Sequence, residues 1–228
     1  MIDEKKACAV LTGAYGTGKT LILKALERKF KKKGYVFSFV QNPRLDDLGL
    51  LKIILHNFTG YNVPKAKEDV LMGIERFLRD TMQDGKHVVV AIDEAQLIDD
   101  ENVFEELRLL LNFQTETRFL LTLVLSGQPE LKEKLDANKQ FSQRVTLSYR
   151  LTPLNFEETR KYVTHRLEIA GLAENIFTEK AMELLFERSG GIPRWINNIA
   201  NMSMLAAFSK GERTITEELV VEGQDSSR

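Results

Sequence analysis

The sequence predicts an α/β fold: a five-stranded parallel sheet with helices on both faces, followed by a small all-helical unit. Three observations carry that expectation. The stretch Gly13-Ala14-Tyr15-Gly16-Thr17-Gly18-Lys19-Thr20 satisfies G-x-x-x-x-G-K-[ST], with an apolar run before it and a helical pattern after it. Val88 to Ile92 and Phe119 to Leu125 are nearly unbroken apolar runs, as in strands covered on both faces. After Pro153 strand signals stop and only capped helical patterns remain.

Taken in order, Ala7 to Leu11 reads as the first strand, and a helix should follow from about Gly18 to Lys33. Lys31-Lys32-Lys33 suits the negative end of that helix, and Gly34 the residue just beyond it. Tyr35 to Val40 is β-branched and aromatic and stops at Gln41-Asn42-Pro43. Leu48 to Phe58 and Val70 to Met82 read as helices; Val70, Leu71, Ile74, Phe77 and Leu78 share one face of the second. A helix over Glu101 to Phe113 separates the two buried strands, and a short one spans Glu130 to Leu135. Val145 to Leu151 alternates, which predicts an edge or less buried strand.

Beyond it, Asn155 with Glu158 forms a capping box, Thr178 and Thr216 cap two further helices, and Pro193 opens one between them. The expected organisation is a nucleotide-binding core over 1–152, a helical unit over 153–221 and a disordered polar tail over 222–228. Right-handed crossovers would make the core a doubly wound sheet with its ligand beyond the carboxyl ends of the strands.

The glycines at 13, 16 and 18 permit backbone angles that a Cβ forbids, so that successive N–H groups can converge on phosphate oxygens at a helix N-terminus. Lys19 would reach the β- and γ-phosphates of ATP, and the Thr20 hydroxyl would ligate Mg²⁺. The nucleotide-binding set is therefore Gly13, Ala14, Tyr15, Gly16, Thr17, Gly18, Lys19, Thr20 and Leu21. Asp93-Glu94 closes the buried run at 88–92: Asp93 is placed to hold the metal, and Glu94 to orient and deprotonate the attacking water. Glu94 favours hydrolysis, since a kinase would take its nucleophile from a bound substrate. Gln128, at the tip of the next strand, is expected near the γ-phosphate, with Ser126 as the nearby substitute. Asn42 ends the second strand where it could hold Glu94 off the water, against the plainer role of an Asn-Pro turn former. Arg144 and Arg194 are candidates for a guanidinium on the transferring phosphate, and their spacing does not separate that role from a surface ion pair.

Together with Gly13 to Thr20, the segments Ile92-Asp93-Glu94-Ala95-Gln96, Ser126-Gly127-Gln128-Pro129-Glu130-Leu131, Gln143-Arg144-Val145 and Gly190-Gly191-Ile192-Pro193-Arg194-Trp195-Ile196-Asn197 extend over nearly the whole chain. In content and order they resemble the AAA+ ATPases of the general secretion pathway protein A type. The resemblance implies Gln128 as sensor 1, Arg144 as an arginine finger acting on a neighbouring subunit, and Arg194 as sensor 2 at the nucleotide. It also implies Mg-ATP hydrolysis coupled to nucleotide-dependent homo-oligomerisation and to remodelling of protein partners. AAA+ transposition and initiation ATPases share these motifs, so a DNA-associated adaptor is the alternative.

Composition narrows the partners. With 32 basic and 33 acidic residues the net charge is -1, which gives no support to a nucleic-acid or membrane surface. The single cysteine, Cys8, excludes an internal disulfide, and His56, His87 and His165 show no metal-ligand spacing. The charged start, and an apolar maximum well short of a membrane span, predict a cytoplasmic chain, peripheral to the inner membrane only through a partner.

Overall fold

The computed structural model describes residues 2–60, 63–172 and 174–225, and two compact units emerge. The first comprises residues up to Gly13 together with Lys19–Leu151; the second comprises Ala14–Gly18 and the chain from Thr152 onward.

The first unit contains five parallel strands: β1 (Cys8–Gly13), β2 (Val36–Val40), β3 (Val88–Ile92), β4 (Leu121–Gly127) and β5 (Val145–Leu151). Their order is β2-β3-β4-β1-β5. The helices of this unit are α1 (Lys19–Lys31), α2 (Asp47–Thr59), α3 (Lys67–Gln83), α4 (Glu101–Leu110), α5 (Glu130–Ala137) and α6 (Lys139–Ser142). Alternation along β3 shows why both faces are covered. Val88, Val90 and Ile92 join one core with Leu51, Ile54, Ile74 and Leu107, while Val89 and Ala91 join another with Leu23 and Phe30 of α1. All five β3 residues are fully buried, so the unbroken apolar run has a packing cause.

Because every pairing is parallel, the carboxyl ends of β1, β3 and β4 lie at one edge of the sheet. The register is definite: Thr12 pairs with Gly127, and Ile92 with Leu125. β5 is the edge strand expected from its alternation, with Leu147 and Tyr149 exposed. The strand predicted over 119–125 instead spans 121–127, so Ser126 and Gly127 belong to β4 and not to the turn. The short α6 was not legible in the sequence; the Asn138 side chain caps it by accepting from Phe141 N at 3.0 Å.

The second unit packs α7 (Phe156–Ile169), α8 (Glu179–Ser189), α9 (Pro193–Lys210) and α10 (Glu217–Asp225) around Val163, Met182, Leu185, Ile196, Ile199 and Val220. The Asn155–Glu158 capping box forms in both directions, Thr178 accepts from Ala181 N, and Pro193 occupies the first turn of α9. One expectation changes. Residues 222–225 are helical and not a disordered tail, because Glu222 pairs with Lys210 at 2.5 Å and Gly223 lies where a Cβ would meet Ser203 N at 2.7 Å. Residues 226–228 lie outside the described residues.

Candidate functional site

In the first unit the site begins where β1 meets α1. Lys19 is the first residue of α1, only 5% exposed, and its Nζ donates to the Gly13 carbonyl at 2.9 Å. Burial depresses the Lys19 ammonium below the ordinary lysine range, while the carboxylates of Glu94, Asp93 and Glu130 act in the opposite sense. The amine thus sits in a negative environment at a helix N-terminus. Leu21, two residues on, is 67% exposed.

Asp93 follows the last residue of β3 and is 3% exposed. The Thr20 hydroxyl donates to its Oδ2 at 2.5 Å, and the Glu94 amide donates to its Oδ1 at 3.1 Å. Thr20 and Asp93, 73 residues apart in the chain, are thereby brought into contact. They present two hard oxygen ligands. That set fits Mg²⁺, which is held by one or two protein oxygens and completes its shell with phosphates and water. No cluster of three or more His, Cys, Asp or Glu occurs among the described residues, so a cage built wholly from such side chains is not offered there.

Glu94 adopts φ 51° and ψ 36°, the left-handed region. Such a conformation costs a non-glycine residue about 1–2 kcal/mol and persists where surrounding contacts over-determine it. Gln96, in the 3-10 turn Ala95–Leu97, supplies one of them: its Nε2 donates to Glu94 Oε2 at 2.6 Å. Its Oε1 accepts from Gln128 N, just past β4, at 3.0 Å. In the sequence Gln96 stands only as part of a motif, with no role of its own. Of the two readings left open for Asn42, the turn former is the one seen: its Oδ1 accepts from Arg44 N at 3.3 Å.

The remaining candidates of this unit fall at separate places. Ser126 is wholly buried within β4, and its hydroxyl has no hydrogen-bond partner among the described residues. Gln128 stands partly exposed at the tip. Arg144, just before β5, donates through Nη2 to Asn112 Oδ1 at 3.0 Å. His87 is buried against Thr122 and Cys8 is buried in β1, both as core residues.

In the second unit the loop Ala14–Gly18 meets the start of α9. Gly16 and Gly18 take positive φ, 83° and 100°, as the motif requires; Gly13, the end of β1, does not need that freedom. A Cβ on Gly16 would lie 2.9 Å from Arg194 Cβ, whereas one on Gly18 would meet nothing within 4 Å. Gly18 therefore borders open space and Gly16 a close approach. Arg194 N donates to Gly16 O at 3.3 Å, and its guanidinium stacks 4.1 Å above the Tyr15 ring centroid. Thr17 Oγ1 closes the loop on Ala14 O at 2.8 Å.

Residues 2–135 match the family model described as an AAA domain. The chain belongs to that family. As a member it is a P-loop protein of the nucleotide-binding AAA+ class, which agrees with the strand-tip geometry above. General secretion pathway protein A of Aeromonas hydrophila is 38% identical over 212 residues, 90% of this chain and 38% of that protein. The Aeropyrum pernix ORC2 protein has a similar fold, with a TM-score of 0.71 at 15% identity over 100% of this chain and 64% of that one. So does the Thermotoga maritima RuvB Holliday junction branch migration motor, with a TM-score of 0.68 at 17% identity over 99% of this chain and 63% of that one. The chain thus spans less than two thirds of each of these proteins.

Proposed function

We propose that this AAA-family chain binds Mg-ATP and hydrolyses it to ADP and phosphate, using the change of nucleotide state to assemble with copies of itself and to remodel a protein partner. The observation that carries the reading is the convergence of Thr20, Asp93 and buried Lys19 beside Glu94 at one sheet edge. Main-chain amides of the glycine loop cradle the phosphates, and Lys19 neutralises the β- and γ-oxygens. Thr20 and Asp93 would hold Mg²⁺, which would offset negative charge on the phosphates when bound. Glu94 orients a water in line with the γ-phosphorus and accepts its proton as the P–O bond to ADP breaks.

Arg194, resting on the loop residues Tyr15 and Gly16, suits a residue that reports phosphate occupancy, and Gln128 one that contacts the γ-phosphate. Arg144, partly exposed before an edge strand, suits a finger offered to a neighbouring subunit. Among the described residues no helix is long and apolar enough to cross a membrane. We infer a cytoplasmic chain that serves a secretion pathway through a protein partner, a role suggested by its likeness to the Aeromonas general secretion pathway protein A.

The test is ATP turnover with calorimetric Mg-ATP binding for the unaltered chain and Glu94→Gln, together with sizing in both nucleotide states. Turnover should fall by about 10²–10⁴-fold in Glu94→Gln with binding retained. Equal turnover in the two proteins excludes hydrolysis by this site. A monomer with and without ATP excludes the finger in trans. Turnover stimulated by DNA, with a steep salt dependence, would instead favour the DNA-associated alternative.

A further inference from the structure

The amide of Gln96 touches two things the hydrolysis reading depends on: the carboxylate of Glu94 and the backbone at the tip of β4. Its orientation is fixed by chemistry, because Oε1 faces an N–H donor and Nε2 faces a carboxylate acceptor, and a flipped amide would satisfy neither. The backbone beneath it is held as well. Lys134 of α5 donates to Gln96 O at 2.7 Å, to Ile98 O at 2.9 Å and to Asp99 Oδ1 at 3.0 Å. On the far side Gly127 leaves the amide its space, since a Cβ there would lie 2.6 Å from Gln96 Oε1. Glu94 itself sits in a left-handed backbone conformation that a glutamate does not adopt unaided.

We propose that Gln96 is a positioning residue for ATP hydrolysis: it aims the Glu94 carboxylate at the attacking water and ties that aim to the tip of β4. The proposal rests on the reading of Glu94 as the base. Its physical content is a rigid relay from Gln128 N through one amide to Glu94 Oε2, in which a displacement of the strand tip displaces the carboxylate. A misplacement of about 1 Å at a catalytic group costs up to roughly 10²-fold in rate, so losing the relay should be visible in kcat.

The experiment is a double-mutant cycle on ATP turnover with Gln96→Met, Glu94→Gln and the pair, Mg-ATP affinity being measured by calorimetry. Methionine keeps the length and bulk of the side chain and removes both hydrogen bonds. We expect Gln96→Met to lower kcat about tenfold or more, with KM and Mg-ATP affinity within about threefold. In the Glu94→Gln background it should change the residual turnover less than about twofold, because the group it positions is gone. Gly127→Ala reaches the same amide from the other side and should reproduce the kcat loss with binding kept.

Unchanged or raised turnover in Gln96→Met, full turnover in Gly127→Ala, an equal loss in both Glu94 backgrounds, or loss of Mg-ATP binding each overturns the proposal. If Glu94→Gln itself turns over at the full rate, the hydrolysis reading falls. If Glu94→Gln is inactive and Gln96→Met is not, only the role of Gln96 falls.

Discussion

Strands β3 and β5 belong to one sheet and run parallel, yet they are used differently. Every residue of β3 is buried, and the strand delivers Asp93 and Glu94 to a sheet edge that also carries Lys19 and Thr20. β5 exposes most of its length, with Leu147 47% and Tyr149 59% accessible, and the guanidinium of the preceding residue, Arg144, donates to Asn112 in a turn. An interior strand is fixed by cores on both faces and by neighbours on both sides, so the residues at its tip are held in place. An edge strand lacks one neighbour and here lacks cover, which suits a region whose partner is another molecule.

The largest effect is expected at the site β3 serves. Lys19→Ala should weaken Mg-ATP binding by about 3–4 kcal/mol, roughly 10²–10³-fold, since a desolvated ammonium is removed from a charged ligand. Calorimetric affinity equal to the unaltered chain would contradict the placement of phosphate at this loop. Next comes packing. Ile92→Ala in β3 should cost about 2–5 kcal/mol in urea unfolding, and Leu147→Ala in β5 no more than about 0.5 kcal/mol. Comparable losses would mean that β5 is covered in solution.

A third prediction concerns the start of β3. Thr122 donates its one hydroxyl proton to Lys6 O at 2.7 Å, so it accepts from His87 Nε2–H at 2.9 Å. Burial, aided by the positive charges of Lys5 and Arg118, lowers the His87 pKa to about 4. The unfolded chain takes up its proton near pH 6.5, so the unfolded state binds more protons between pH 6.5 and 4. This contribution is complete above pH 6.5 and is lost as pH falls toward 4, by about 3 kcal/mol. Stability of His87→Gln relative to the unaltered chain, measured from pH 7 to pH 4, should show that gap closing; a constant gap would contradict it. The smallest effect is expected at Asn42→Ala, whose turnover should stay within about twofold, because its side chain serves a local turn and Gln96 holds Glu94.

Much of this was legible in the chain because the signals are local or periodic. The motif at 13–20 announces its own loop geometry, the short β-branched run at 88–92 reads as a strand buried on both faces, and the Asn155 capping box closes over three residues. The features hidden from the sequence are non-local. Gln96 reads as an ordinary polar residue after an acidic pair, and its importance arises because β4 ends 31 positions later beside it. The helical continuation over 222–225 is hidden for the same reason, since its polar residues carry no mark of the α9 surface they meet.

By itself, then, the sequence determined most of the elements, the sheet class and the residues expected to hold a phosphate and a divalent ion, since residue type and spacing dictate backbone geometry and ligand chemistry. Tertiary structure alone decided that Thr20 meets Asp93, that Gln96 and not Asn42 meets Glu94, and that Gly127 leaves room for the amide between them. Those contacts depend on where the strand tips come to rest, and only the order and register of the strands bring such groups within hydrogen-bonding distance.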